Sequence, residues 1–249
     1  MNSSKSDLPS LKGMRLLFLT TYPPPYGGIA SHLKNLMPSL LENGAEDIAV
    51  ITFDNKDCIE NHDGITVYRY SLKKNFWRVF LPKNIKVFWQ VFRTLLMKNF
   101  SLSFFAQELV KAIITHQIAN EHRSQVVISY IANQSYYLIP LEKVWKGEKE
   151  IVLAVFGCLF EHWNFMSANM DLVHKVLDLP KFVFSSSQHC ANSFKKIGIN
   201  RLIEPVFFGV ELEGITSQEK REQFRSAQRI NDSEVVVFFM GRMVTDMGL

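Results

Sequence analysis

The sequence lacks the features that mark several classes of protein. It has three cysteines, Cys58, Cys158 and Cys190, and their wide spacing excludes a disulfide scaffold and a CxxC zinc site. No apolar run reaches the ~18–20 residues that a membrane-spanning helix needs. Neither GxGxxG nor GxxxxGK[ST] occurs, so the sequence does not favour a dinucleotide-binding site or a P-loop. The expected setting is reducing and cytoplasmic.

Acidic residues are missing from one long stretch of the chain, residues 64–107. The positive charge of this stretch exceeds the formal net charge of the whole chain, which is +4. The basicity is therefore one local feature and does not indicate a general nucleic-acid binder, which would carry a basic face built from several elements. The cations are Arg69, Lys73, Lys74, Arg78, Lys83, Lys86, Arg93 and Lys98.

Two interpretations of this basic stretch stay open. In the first, residues 84–98 form an amphipathic crossover helix that packs its Phe and Trp face on a sheet and leaves its lysines in solvent. In the second, an interfacial segment docks on anionic lipid, because aromatic residues of 76–81 stand beside basic ones. The residues expected to contact a membrane are Lys73, Lys74, Trp77 and Arg78.

Apolar strands and amphipathic helices alternate along most of the chain. Near-continuous apolar strands joined by helices predict an α/β fold, a doubly wound parallel sheet with helices on both faces. The predicted strands are 15–20, 47–53, 65–70, 126–131, 151–156 and 182–185, and the predicted helices are 29–42, 84–98, 102–122, 136–144, 168–177 and a last one ending at Lys196.

The pattern also predicts how the chain is divided. Residues 1–12, rich in Ser, Lys and Asp, are expected to be a disordered leader. Residues 13–205 are expected to form the doubly wound domain. Residues 206–249 contain a charged segment and a fresh apolar strand over Val235–Met240, which we interpret as the linker and first strand of a second, incomplete Rossmann-like domain.

The loop after the first strand is the first place where chemistry is expected, because ligands of doubly wound sheets bind at the carboxyl ends of the strands. Gly27 and Gly28 precede a helix whose amino end offers free amides to a phosphate. The alternative is a tight turn with no ligand. His32, one turn into that helix, either faces the cleft and contacts a substrate or is an ordinary exposed histidine.

Four segments in order resemble the retaining GT-B glycosyltransferases of the family 4 type. The first, Met14 to His32, reads MRLLFLTTYPPPYGGIASH, and the last, residues 235–249, reads VVVFFMGRMVTDMGL. Between them, residues 185–198 read SSSQHCANSFKKIG and residues 208–211 read FGVE. The resemblance covers nearly the whole chain.

This resemblance implies two Rossmann-like domains facing each other across a cleft. The amino-terminal domain would bind a glycan or lipid-linked acceptor and the carboxyl-terminal one a nucleotide sugar. Gly27, Gly28 and Arg242 correspond to the groups that approach the donor phosphate. No metal or resident cofactor is implied. Enzymes that resemble this one often act on lipid-linked glycans, so contact with an anionic membrane at the inner face of the cell membrane stays open as the second interpretation of the basic stretch.

The sequence also departs from the family pattern. The family's phosphate-binding lysine falls on Met247, and its paired glutamates would lie beyond residue 249. Its frequent His-Gly pair falls on Phe156 and Gly157, so Glu161 and His162 are the cleft candidates that follow. No catalytic residue is assigned. We expect no measurable transfer and no tight nucleotide binding by these 249 residues alone, and a non-catalytic glycan- or partner-binding module stays open as an alternative.

Overall fold

The computed structural model describes residues 11–23, 28–95, 101–130, 135–155, 169–196, 198–206, 218–231 and 233–234. The chain divides into two compact units, Met1–Phe208 and Gly209–Leu249. Of the expected leader, Leu11 and Lys12 are described. They begin a turn in which the Met14 amide donates to the Leu11 carbonyl at 3.0 Å.

The described part of the first unit is built on one eight-stranded sheet. Its order is β3-β4-β2-β1-β5-β6-β7-β8, and every neighbouring pair is parallel except β3 with β4. The strands are β1 (Arg15–Leu19), β2 (Asp47–Phe53), β3 (Cys58–His62), β4 (Ile65–Tyr70), β5 (Val126–Ser129), β6 (Glu150–Val155), β7 (Phe182–Ser185) and β8 (Glu204–Pro205).

Helices cover both faces of this sheet. Side chains of β1 alternate between the two faces, so that Leu17 and Leu19 join one hydrophobic core while Leu16 and Phe18 join the other. The larger core lies under α2, α3 and α4, and the smaller one under α1. The helices are α1 (Gly28–Glu42), α2 (Ile85–Leu95), α3 (Leu102–Glu121), α4 (Leu138–Trp145), α5 (Met170–Asp178) and α6 (Gln188–Lys196).

This architecture confirms the predicted doubly wound α/β class and adds one strand that the sequence pattern missed. β3 pairs antiparallel with β4 at the edge of the sheet. Its residues, CIENH, contain a single large aliphatic side chain, and Ile59 is 65% exposed. An edge strand with so little buried surface leaves no alternating apolar pattern to detect.

The first interpretation of the basic stretch, in which the helix packs its Phe and Trp face on the sheet, is wrong for Trp89, and the neighbouring Ile85 is exposed as well. The helix buries Val87, Val91 and Leu95, whereas Trp89 is 53% and Ile85 55% exposed. Before α2, two short 3-10 helices over Phe76–Phe80 and Pro82–Asn84 carry the chain along the helical layer. The buried stripe of α2 is therefore aliphatic, and part of its aromatic face lies outside.

The described part of the second unit consists mainly of α7 (Gln218–Ala227). Half of its ten residues are charged, and none of the ten is buried. The strand predicted over Val235–Met240 lies outside the described residues. Among the described helices of the whole chain, none combines the length and apolarity needed to cross a bilayer.

Candidate functional site

The strand order reverses between β1 and β5. From β1 the chain passes through α1 to β2 on one side, and from β5 it passes through α4 to β6 on the other. Connections that leave two adjacent parallel strands in opposite directions open a crevice outside their carboxyl ends, where doubly wound proteins bind ligands. The loops after β1 and β5 therefore flank the candidate site.

His32 and Tyr130 meet at this crevice. Their ring centroids lie 6.2 Å apart, and the Tyr130 amide donates to the Leu19 carbonyl at 3.0 Å, which continues the pairing of β5 with β1. Burial lowers the pKa of His32 and raises that of the Tyr130 phenol. His32 is therefore a neutral imidazole at pH 7, able to donate one hydrogen bond and accept another. It is half-buried, unlike an ordinary exposed histidine.

Gly28 is the first residue of α1. Its φ lies outside the left-handed region, and a Cβ placed on it would meet no atom within 4 Å. Neither backbone conformation nor packing within the described chain therefore requires glycine at this position. A missing side chain leaves the amide end of α1 open to close approach by a ligand.

Arg69 binds the start of the loop after β1 through its side chain. The residue is fully buried near the end of β4, and its Nη2 donates to the backbone carbonyls of Pro23 at 2.8 Å and Tyr22 at 3.2 Å. Its Nε donates to Glu60 Oε2 at 2.9 Å, and its Nη1 lies 3.6 Å from Asp54 Oδ2. One guanidinium thus links the loop to β3 and to the end of β2.

The carboxylate of Glu60 accepts hydrogen bonds from several neighbouring side chains. Hydrogen bonds from Lys56, His62 and Arg69 lower its pKa well below the ordinary range for glutamate. The carboxylate therefore stays ionised at every pH at which the protein would be studied and balances the buried guanidinium.

A pocket of about 320 Å³ opens at the carboxyl ends of β2 and β4. A carboxylate, two amides, a hydroxyl and an ammonium group stand among its lining side chains, which is the set of groups that a polyhydroxylated ligand needs for hydrogen bonding. It is lined by Phe53, Asp54, Asn55, Ser71, Leu72, Lys73 and Gln107.

Several predicted site residues lie outside the described part of the chain, namely Gly27, Gly157, Glu161, His162 and Arg242. Within the described part, no group of three or more His, Cys, Asp or Glu side chains could hold a metal ion.

The predicted membrane-contact residues are placed differently from one another. Lys73 and Lys74 are exposed, and Trp77 is 55% exposed. Arg78 is half-buried and donates to Asn75 Oδ1 at 2.7 Å and to Gln117 Oε1 at 2.6 Å. Its guanidinium is thus bound to neighbouring side chains within the domain.

Sequence reasoning missed Arg69 and Tyr130, although the signals were present. Ile65, Val67 and Arg69 occupy alternate positions of one strand and are all buried, so the two-residue period of a strand would have placed the arginine inward. Tyr130 directly follows β5, at the edge where ligands bind in this fold class.

The comparisons with known proteins agree with the fold. No family model matches the chain, and no curated protein matches it. An α,α-trehalose-phosphate synthase (UDP-forming) from Burkholderia xenovorans, in complex with glucose-6-phosphate, superposes with a TM-score of 0.51 at 10% identity, over 75% of this chain and 43% of that one.

Other solved structures of the same kind match less well. The E. coli trehalose-6-phosphate structure bound with UDP-2-fluoro glucose gives a TM-score of 0.49 at 13% identity, over 86% of this chain and 54% of that one. The Burkholderia multivorans synthase gives a TM-score of 0.45 at 13% identity, over 75% of this chain and 42% of that one. The chain thus spans about half the length of these neighbours. The described part of the first unit has a Rossmann-like α/β fold, similar to that of the Burkholderia xenovorans synthase, a GT-B glycosyltransferase.

Proposed function

We propose that this chain supplies the acceptor-binding domain of a retaining glycosyltransferase of the family 4 type. The enzyme would transfer a sugar from a nucleotide sugar to a glycan or a lipid-linked acceptor. The observation that carries the proposal is the convergence of Gly28, His32 and Tyr130 at the strand-order reversal of a glycosyltransferase-like fold.

The amide end of α1 has a role at the leaving group. As the sugar departs, negative charge develops on the nucleotide diphosphate, and preorganised donors that face this charge lower the barrier. The free amides near Gly28 are such donors, and the resemblance adds Gly27 and Arg242. Arg69 binds the start of the preceding loop through the Tyr22 and Pro23 carbonyls. The proposal requires no metal ion or resident cofactor.

The acceptor would lie against the polar groups of the same edge. A neutral His32 can hydrogen-bond a sugar hydroxyl without placing a charge in the cleft. The pocket beside β2 and β4 offers further partners, including Asp54 and Lys73. A cytoplasmic protein at the inner face of the membrane fits this proposal. In the described part of the chain, neither Cys58 nor Cys190 forms a disulfide.

Nuclear magnetic resonance of the isotope-labelled chain tests the site directly. UDP-glucose and glucose-6-phosphate are titrated first, because proteins of similar fold were solved with glucose-6-phosphate and a UDP-glucose analogue, followed by GDP-mannose and a panel of oligosaccharides. We expect shifts that cluster at Gly28, His32 and Tyr130, with His122 at the opposite edge unmoved. Shifts centred elsewhere, or none across the panel, would contradict the proposal.

A non-catalytic binding module is the second candidate, favoured by Met247 at the position of the family's phosphate-binding lysine. A thioether cannot neutralise a diphosphate. Both candidates predict ligand shifts at the carboxyl edge, whereas only the enzyme predicts steady transfer of radiolabelled sugar into a membrane extract. Transfer that is lost on His32→Ala favours the enzyme, and binding without transfer by the natural full-length protein favours the module.

A further inference from the structure

An exposed aromatic surface runs along the outer side of the helical layer. It consists of Phe76, Trp77, Phe80, Ile85 and Trp89, which are between 42% and 75% exposed. We propose that this aromatic surface, with the lysines beside it, is a docking site for an anionic phospholipid bilayer.

Packing does not explain why these side chains are apolar. Each element already buries other apolar residues. The first 3-10 helix buries Val79, and α2 buries Val87, Val91 and Leu95. The aromatic residues at 77 and 89 leave about half of their accessible area in water. Exposed apolar groups gathered on neighbouring elements, unlike scattered ones, mark interaction surfaces.

The elements that carry the surface are held rigidly together. The side-chain amide of Asn84 donates to the Arg78 carbonyl at 2.6 Å and accepts from Gln117 Nε2 at 3.1 Å, which ties the 3-10 segments to α3. Phe76 and Phe80 pack edge to face with centroids 5.9 Å apart, and Trp89 contacts Phe92 in the same way at 5.7 Å. The surface is therefore preformed and needs no folding step on contact.

The charges beside the surface fit an anionic partner. Residues 64–107 contain no acidic side chain, and Lys73, Lys74, Lys83 and Lys86 are all exposed. Lys86 also donates to the Val144 carbonyl at 3.3 Å. Each lysine near an anionic leaflet contributes ~1 kcal/mol to binding.

The residue types favour a bilayer over a protein partner. Protein interfaces are enriched in arginine and depleted in lysine. Here the exposed cations closest in sequence to the aromatic residues are lysines, whereas Arg78 is turned to Asn75 and Gln117. Tryptophan and phenylalanine beside lysine are typical of segments that lie in the membrane interface.

The proposed docking does not depend on the proposed function, but its use in presenting a lipid-linked acceptor does rest on it. Lys73 connects the two features, because it belongs to the basic stretch and also lines the pocket at the carboxyl ends of β2 and β4. A bilayer on this face would thus come close to the edge where the acceptor is expected.

Vesicle sedimentation with the full chain tests the docking. The probes are vesicles of phosphatidylcholine alone and of phosphatidylcholine with phosphatidylglycerol at three parts to one. We expect sedimentation with the anionic vesicles only, release by salt, and a blue shift of tryptophan emission on binding. Equal sedimentation with both vesicles, or none with either at low salt, would overturn the proposal.

Matched variants separate the contributions of charge and aromatic surface. Lys74→Glu with Lys83→Glu should weaken binding by at least about fivefold per lysine, whereas Lys195→Glu with Lys196→Glu on α6 should not. Trp77→Ser with Trp89→Ser should abolish the blue shift, whereas Ile59→Ser, an exposed apolar residue on β3, should leave binding intact. The lysine variants and Ile59→Ser should keep the wild-type midpoint of urea unfolding, and the double tryptophan variant should still unfold in one cooperative transition.

Two results would count against a bilayer as the occupant. Binding that survives the double tryptophan change would show that the aromatic surface is not involved. Concentration-dependent self-association that is removed by the same change would assign the surface to a second copy of the chain. No sugar takes part in these assays, so their failure is distinguishable from failure of the resonance titration.

Discussion

The two edges of the sheet use polar groups in different ways. At the amino edge, charged groups pair with one another across neighbouring strands and helices. Arg15 Nε donates to Glu46 Oε1 at 2.9 Å, and His122 Nε2 lies 3.2 Å from Asp47 Oδ2. At the carboxyl edge, Arg69 binds the backbone of the loop after β1. The next helix, α1, begins at Gly28, where packing within the described chain does not require glycine.

The difference indicates which edge is built for structure and which for a ligand. The contacts at the amino edge join neighbouring strands and helices of the domain to one another. The contacts of Arg69 at the carboxyl edge instead hold the described start of the loop after β1, at Tyr22 and Pro23. Changes at the two edges should therefore differ in their consequences for stability and for binding.

The largest effect is expected for the two arginines compared in matched variants. Arg69→Leu leaves Glu60 without its guanidinium partner and two loop carbonyls without a donor, and it should lower the free energy of unfolding by about 3–5 kcal/mol. Arg15→Leu removes a pair whose side chains are 31% and 47% exposed, and it should cost far less, because solvent screens an exposed pair. Urea denaturation of both variants measures the contrast, and equal losses would contradict it.

A buried ion pair supports the loop after β5 and predicts the next effect. Glu108 Oε1 accepts from Lys111 Nζ at 2.8 Å, and its Oε2 accepts from the Tyr137 amide at 3.0 Å. Glu108→Gln leaves a buried ammonium group unbalanced and should cost about 3 kcal/mol. The double variant with Lys111→Met should recover most of this loss, because no unpaired charge remains. A double variant as unstable as the single one would show that the charge is not the cause.

Sequence reasoning was most successful where periodicity and position carry the information. The alternation of apolar strands with helices predicted the doubly wound sheet, which the structure confirms, whereas the phosphate site at Gly27 and Gly28 stays a prediction. Sequence reasoning could not predict the partners of Arg69, because Tyr22, Asp54 and Glu60 come from separate elements that only the folded chain brings together. The outward position of Trp89 depends on whether packing selects the aliphatic or the aromatic face of α2, which helical periodicity alone does not decide.

A pH dependence of stability is expected from the amino edge. Burial lowers the pKa of His122 below its ordinary value of 6.5, although Asp47 opposes the shift. The unfolded chain therefore binds more protons below about pH 6.5, and the free energy of unfolding should fall as the pH falls through that value. His122→Gln should flatten this part of the curve and Asp47→Asn should steepen it. Thermal unfolding between pH 7.5 and 5.5 measures both, and an unchanged slope in His122→Gln would exclude this histidine as the source.

Gly28→Ala sharpens the comparison at the carboxyl edge, and its effect on stability is the smallest. Because φ at this position lies outside the left-handed region and a Cβ would meet no atom of the described chain within 4 Å, the change should raise the free energy of unfolding by about 0.4–1 kcal/mol. Urea unfolding of the variant beside the unchanged chain measures the gain. A loss of stability would show that packing requires the glycine after all.

The resonance titration of UDP-glucose into the unchanged chain and into Gly28→Ala tests the central claim most directly, that the carboxyl edge beside α1 binds a phosphorylated ligand. Weak binding is sufficient, because the shifts at His32 and Tyr130 report it. The account predicts that the alanine methyl group weakens the affinity by at least about fivefold while stability is kept or increased. Equal affinity in the two proteins, or shifts that avoid His32 and Tyr130, would contradict it.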